Sequence, residues 1–196
     1  MTLDVREPAA TVHSDRRARV IRLRGRECDR EAAVLSVVLE EHLAKLAADP
    51  ASAASEPAVT ATAVPGEQRV RVEGSPFAWY ADLPRAVGGG NCAPSPTLYL
   101  LGALAAGAVA FLRDVLAPQC GVRLDDVTAV ARCGQDLRGL AGMAGTEPRL
   151  AGLSLDIRLD SPDPEHRLET LRRAWADRCP VYLALSEPVA VTVTWS

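Results

Sequence analysis

The sequence predicts an α+β fold, and three observations carry that prediction. A long apolar run from Leu98 to Leu116 stands behind a glycine turn at the centre of the chain. It is apolar on every side, the mark of a buried helix. Alternating, Val-rich stretches flank it on both sides, and alternation is the signature of half-buried strands. A second, punctuated helix follows late in the chain and a last alternating stretch closes it. The order strands, helix, strands, helix, strand places sheet and helices in separate blocks.

Residues 1 to about 17 are polar and read as a frayed end. Ala18 to Leu23 reads as a short strand. Asp29 is a candidate cap for a helix reaching Ala48, with Val34, Leu35, Val38, Leu39, His42, Leu43 and Leu46 on one face. His42 is expected to be a packing residue, and the apolar face is expected to fold back on the domain. Asp49 to Pro57, rich in Ala, Ser and Pro, reads as a linker. The domain organisation expected is therefore an N-terminal extension over 1–55 and a folded domain over 56–196.

Ala58 to Val64 alternates, Pro65-Gly66 turns the chain, and Arg69 to Glu73 forms the second arm of a hairpin. Gly74-Ser75-Pro76 turns again and Phe77 to Leu83 is a third strand. The triple Gly88-Gly89-Gly90 permits backbone shapes that a Cβ forbids. Ser95 is a suitable N-cap and Pro96 suits the first turn of the central helix, expected to end near Pro118. Leu124 to Arg132 is a strand, Gly134 to Thr146 a loop, and Leu150 to Leu159 a strand with Leu153, Leu155, Ile157 and Leu159 on one face. Ser161-Pro162-Asp163-Pro164-Glu165 starts a helix with Leu168, Leu171 and Trp175 inward. Cys179-Pro180 breaks it, a short apolar turn or helix follows, and Val189 to Trp195 is the closing strand.

Composition narrows the function. Hydrophobic residues make up 48% and aromatics 4%, so the core is built mainly from Ala, Val and Leu. A net charge of −3 argues against a nucleic-acid binder. Five cysteines at scattered spacings, with no CxxC pair, make neither a disulfide framework nor a zinc site. His13, His42 and His166 are dispersed. There is no P-loop, dinucleotide fingerprint or Ser/His/Asp motif, so neither cofactor nor metal is expected. The central run is long enough to span a membrane, but its Gly and Ala content and the adjoining Arg113 and Asp114 favour a buried helix. The N-terminus lacks the pattern of a signal peptide, and a cytoplasmic location with reduced thiols is expected.

Four stretches resemble the OsmC/Ohr family, the osmotically inducible and organic-hydroperoxide-resistance proteins. These are Ala58 to Val64 with its turn, Asp82-Leu83-Pro84-Arg85-Ala86-Val87-Gly88-Gly89-Gly90, Ser95-Pro96-Thr97 with Leu100 to Gly107, and Arg178-Cys179-Pro180-Val181. The resemblance implies a β-hairpin lead-in, a buried central helix, an antiparallel sheet and an intertwined homodimer with sites at the subunit interface. It also implies peroxide chemistry. A peroxidatic thiolate attacks the O–O bond and becomes a sulfenic acid, which a second cysteine closes to a disulfide. An Arg favours the thiolate and a Glu holds that Arg.

Carried over residue by residue, the resemblance breaks at the chemistry. The peroxidatic cysteine falls after Ala105-Ala106, where Gly107 stands. The Glu falls after Pro96, where Thr97 stands. The Arg falls near Pro65-Gly66-Glu67, with Arg69 the nearest. Only the resolving-type cysteine is kept, as Cys179.

Three readings follow. In the first, the chain is a homodimer that has lost peroxidase chemistry and binds or transforms a small organic molecule in an interface pocket, with Asn91, Thr97 and Gly107 as substrate-binding candidates. In the second, it is a hydroperoxide reductase with a relocated nucleophile: Cys92 lies before the central helix, whose positive end favours a thiolate, and Cys179 resolves it. These two cysteines are the catalytic candidates, and Cys28, Cys120 and Cys133 are taken as structural. In the third, it is a non-catalytic structural or regulatory dimer.

Overall fold

The computed structural model of the protein describes residues 25–187 and 189–195, with side chains from Val37 onward. The expected strand Ala18 to Leu23 lies outside these residues. Helix α1 spans Gly25–Ala48. It is already helical before Asp29, the expected cap. From Val37 onward its apolar side chains do not pack on the domain: Val37, Val38, Leu43 and Leu46 are exposed, and the 3₁₀ turn Pro50–Ala53 adjoins it. His42 is exposed rather than packed, its Nδ1 donating to the Val38 carbonyl at 2.8 Å.

Two antiparallel sheets follow. The first is β1 (Thr60–Ala63), β2 (Val70–Gly74) and β3 (Phe77–Ala81), with β2 in the middle. Val72 pairs with Trp79 and Val70 with Ala81. The second sheet is β4 (Asp126–Gly134) with β5 (Ala151–Asp160), after a single helical turn, α4 (Leu137–Leu140). Val127 opposes Leu159, Ala129 opposes Ile157 and Ala131 opposes Leu155 on the half-buried face. On the other face Arg132 meets Asp156 as an ion pair. Alternation therefore set the register, because a one-residue slip would turn the apolar set to water.

The central helix lies across this second sheet. It runs as α2 (Pro96–Ala110), a π-helical segment (Phe111–Leu116) and α3 (Ala117–Cys120). It ends at Gly121, in the left-handed region with φ 61°, rather than near Pro118. The widened turns just before Pro118 accommodate a ring that would otherwise clash with the preceding turn. Burial is not all round. Leu104, Ala108, Leu112 and Leu116 form one buried line at four-residue spacing, while Leu98, Gly102, Ala103, Ala106 and Ala110 are exposed. By length and composition this helix is long and apolar enough to cross a membrane, the one such helix among the described residues.

Helices α5 (Glu165–Arg178) and α6 (Pro180–Ser186) complete the domain. Leu168 and Leu171 of α5 join Leu112, Leu116, Ala117 and Val122 in the core, with Trp175 packed beside them. The expected closing strand is corrected. Val189 to Trp195 has no ladder partner among the described residues, and Val189, Val191, Val193 and Trp195 all stand exposed. The segment alternates as a strand does, but a strand needs an edge to pair with.

Ten apolar residues are buried among those described. The hairpin sheet is tied to the central helix chiefly through aromatic contacts. The Tyr99 hydroxyl donates to the Tyr80 carbonyl at 2.6 Å, and the Trp79 and Tyr99 rings lie 6.4 Å apart.

Candidate functional site

The glycine turn is folded around one carboxylate. Asp82 is buried, and its oxygens accept the backbone N–H groups of Leu83 at 2.7 Å, Gly90 at 3.2 Å and Cys92 at 2.8 Å. The Cys92 amide contributes most to holding the Asp82 carboxyl below the usual carboxylate range, with Gly90, Leu83 and the Arg69 charge adding to it against the cost of desolvation. The turn has little tolerance for a side chain. A Cβ at Gly89 would lie 1.8 Å from the Leu83 carbonyl oxygen, and one at Gly90 would lie 3.0 Å from Asp82 Oδ2 and 3.3 Å from Cys92 Sγ. Asn91 follows with φ 54°, a left-handed shape that asparagine tolerates better than most residues. Its N–H donates to the Leu83 carbonyl at 3.2 Å. Structure therefore gives Asn91 a backbone role, with its side chain exposed.

Cys92 is exposed, and its thiol donates to the Gly90 carbonyl at 3.5 Å. The helix behind it is capped by Ser95, whose hydroxyl accepts from the Leu98 N–H at 3.3 Å. Thr97 is half-buried in the first turn.

Gly107 lies eleven residues beyond Pro96, about 16 Å along a helix. A Cβ there would meet Val181 Cγ2 of α6 at 3.5 Å, an ordinary contact. Cys179 caps the start of α6, is 1% exposed, and donates its N–H to the Trp175 carbonyl at 2.9 Å. Gly107 and the Cys179 segment are thus brought together by the packing of α2 on α6. Cys92 is held at the other end of α2, and both cysteines are free thiols.

Sequence reasoning named Arg69 only as the residue nearest the family's Arg position and gave it no partners. Arg69 is gripped by the Glu67 carboxylate, which pairs with its Nε and accepts from its outer nitrogen at 3.2 Å. The guanidinium lies 4.1 Å from the Tyr80 ring centroid. The hydrogen bond that Arg69 donates to Glu67 is the first cause raising its pKa above the ordinary value, and the Tyr80 and Cys92 groups add electrostatically. The described residues hold no group of three His, Cys, Asp or Glu side chains placed for a metal ion.

The family model for OsmC-like protein matches residues 88–194, from the glycine turn through the central helix to the end of the chain's last exposed segment. The chain belongs to the OsmC-like family. Among solved structures, the OsmC-like protein from Mycoplasma pneumoniae aligns with a TM-score of 0.56 at 18% identity, over 68% of this chain and 89% of that one. A putative osmotic stress induced and detoxification response protein from Psychrobacter arcticus aligns with a TM-score of 0.50 at 16% identity, over 66% and 88% of the two chains. An organic hydroperoxide resistance protein OsmC from Legionella pneumophila aligns with a TM-score of 0.44 at 20% identity, over 67% and 89%. No curated relative matches the chain. At these identities the likeness is one of fold. The matched structures are nearly fully covered while about a third of this chain is not, so this OsmC-like protein carries residues beyond the shared fold.

Proposed function

We propose that this OsmC-like chain forms a cytoplasmic homodimer, a domain over 56–196 behind an extension over 1–55. It binds or transforms a small organic molecule in an interface pocket by chemistry other than thiol peroxidation. One observation carries this reading: Gly107 occupies the α2 position that faces Val181 beside Cys179, and glycine has no thiol to offer a peroxide. Thr97 offers a hydroxyl where the family resemblance leads to a carboxylate; Thr97 and Asn91 lie at the far end of α2 from Gly107 and join this pocket only from a second copy across the interface. The dimer is supported by the exposed apolar residues Phe77, Leu98, Val191 and Trp195, a set that an isolated soluble protein seldom leaves in water.

The test is the binding of anilinonaphthalene sulfonate, an apolar dye, to the wild type and to Gly107→Leu. The expected result is wild-type binding that Gly107→Leu weakens by filling the space against Val181. Equal binding by both proteins contradicts the pocket.

A second reading, hydroperoxide reduction by Cys92 with Cys179 resolving, is favoured by one observation, the Arg69 charge near Cys92. Against it stands the separation of the two thiols along α2. A disulfide needs Cα atoms within about 7 Å, so this reading requires the Cys179 of a second copy or a moved turn.

A further inference from the structure

Among the described residues, Asp82 is the one buried charged side chain, and no ion pair explains it. Its partners are all backbone. Oδ1 takes the N–H groups of Leu83 and Gly90, and Oδ2 takes that of Cys92. Gly90 has a second role, because its carbonyl accepts the Cys92 thiol at 3.5 Å. One carboxylate therefore fixes both ends of the S–H···O contact, the acceptor through the Gly90 amide and the donor through the Cys92 amide.

We propose that Asp82 is a restraint that holds the exposed Cys92 thiol in an unreactive pose against the Gly90 carbonyl. The attacking species at sulfur is the thiolate, so the S–H···O bond must be given up before Cys92 reacts. Release of the turn removes that acceptor and frees the thiol. The restraint is independent of what the pocket beside Gly107 binds, and it applies to Cys92 whether or not that thiol serves a reaction.

The test is the rate of alkylation by iodoacetamide at each cysteine, followed by peptide mass spectrometry. In that reaction the S–C bond forms, the C–I bond breaks, iodide leaves and the thiol proton passes to solvent. Wild type is compared with Asp82→Asn and with Gly90→Ala. The second variant leaves the carboxylate in place but puts a Cβ 3.0 Å from Asp82 Oδ2 and 3.3 Å from Cys92 Sγ, so the clasp must give. The expected result is several-fold faster labelling of Cys92 in both variants, with Cys120 and Cys133 unchanged and the buried Cys179 still protected. If Asp82→Asn also opens Cys179, the fold has loosened and Gly90→Ala decides alone. Unchanged or slower labelling of Cys92 in Gly90→Ala, or in a folded Asp82→Asn, overturns the proposal.

Discussion

The backbone N–H of Cys92 is bound to the buried carboxylate of Asp82, ten residues earlier in the chain, at 2.8 Å. That bond closes the loop that leads into the central helix, and acid stability should report it. The Asp82 carboxyl is held below its ordinary value in the folded protein, chiefly by the Cys92 amide. A carboxyl depressed by folding contributes stability above its unfolded pKa, about 3.9, and loses it as pH falls through the lower folded value. Asp82→Asn should therefore melt below wild type at neutral pH, and the gap should narrow below about pH 4. Thermal unfolding of both proteins across that range checks it; a gap constant with pH would show that the carboxylate's charge contributes nothing.

The buried line of the central helix sets the domain's stability. Leu104 is 3% exposed, and Leu104→Asp places an unpaired carboxylate where no partner is available. The expected outcome is failure to fold, since such a charge costs several kcal/mol or more. Soluble protein with wild-type melting would show that Leu104 tolerates water.

Leu171 of α5 is fully buried against the π-helical segment. Leu171→Ala should destabilise the domain by about 2–5 kcal/mol, the range for leucine truncation in a packed core. Urea unfolding measures it, and a loss below about 1 kcal/mol would place Leu171 outside the cooperative core.

The unpaired segment Val189 to Trp195 should be covered in the dimer. Proline removes a ladder donor, so Val191→Pro should convert dimer to monomer in light scattering at micromolar concentration. A wild type that is itself monomeric contradicts the dimer, and a dimeric Val191→Pro removes the segment from its interface.

Much of the fold was legible because local pattern dictates it. Alternation placed β4 and β5, with Leu155, Ile157 and Leu159 paired as their spacing requires, and Ser95-Pro96 marked the start of α2. What failed was long-range. The Val189 to Trp195 segment has the pattern of a strand, but pattern does not name the neighbouring edge. The all-round apolar character of the central helix implied burial, yet one chain covers a single face. The site was half legible. Gly107 was read from the sequence, and the structure sets it against Val181 of α6. The clasp of Asp82, by contrast, depends on a ten-residue closure that the local sequence does not spell out. Cys92 likewise sits before the helix, but its thiol is turned to Gly90 rather than to the helix end.

Hydroperoxide turnover tests the proposed function most directly. Wild type, Cys92→Ser and Cys179→Ser are given tert-butyl hydroperoxide with a dithiol reductant, and the loss of peroxide is followed alongside intact mass. Reduction at a cysteine requires a thiolate and a partner to resolve its sulfenic acid, and position 107 offers none. No appreciable turnover is expected from any of the three proteins, with slow, unselective oxidation of the thiols. Fast turnover by the wild type, abolished by Cys92→Ser and accompanied by a Cys92–Cys179 disulfide, would contradict the loss of peroxidase chemistry and establish the relocated nucleophile.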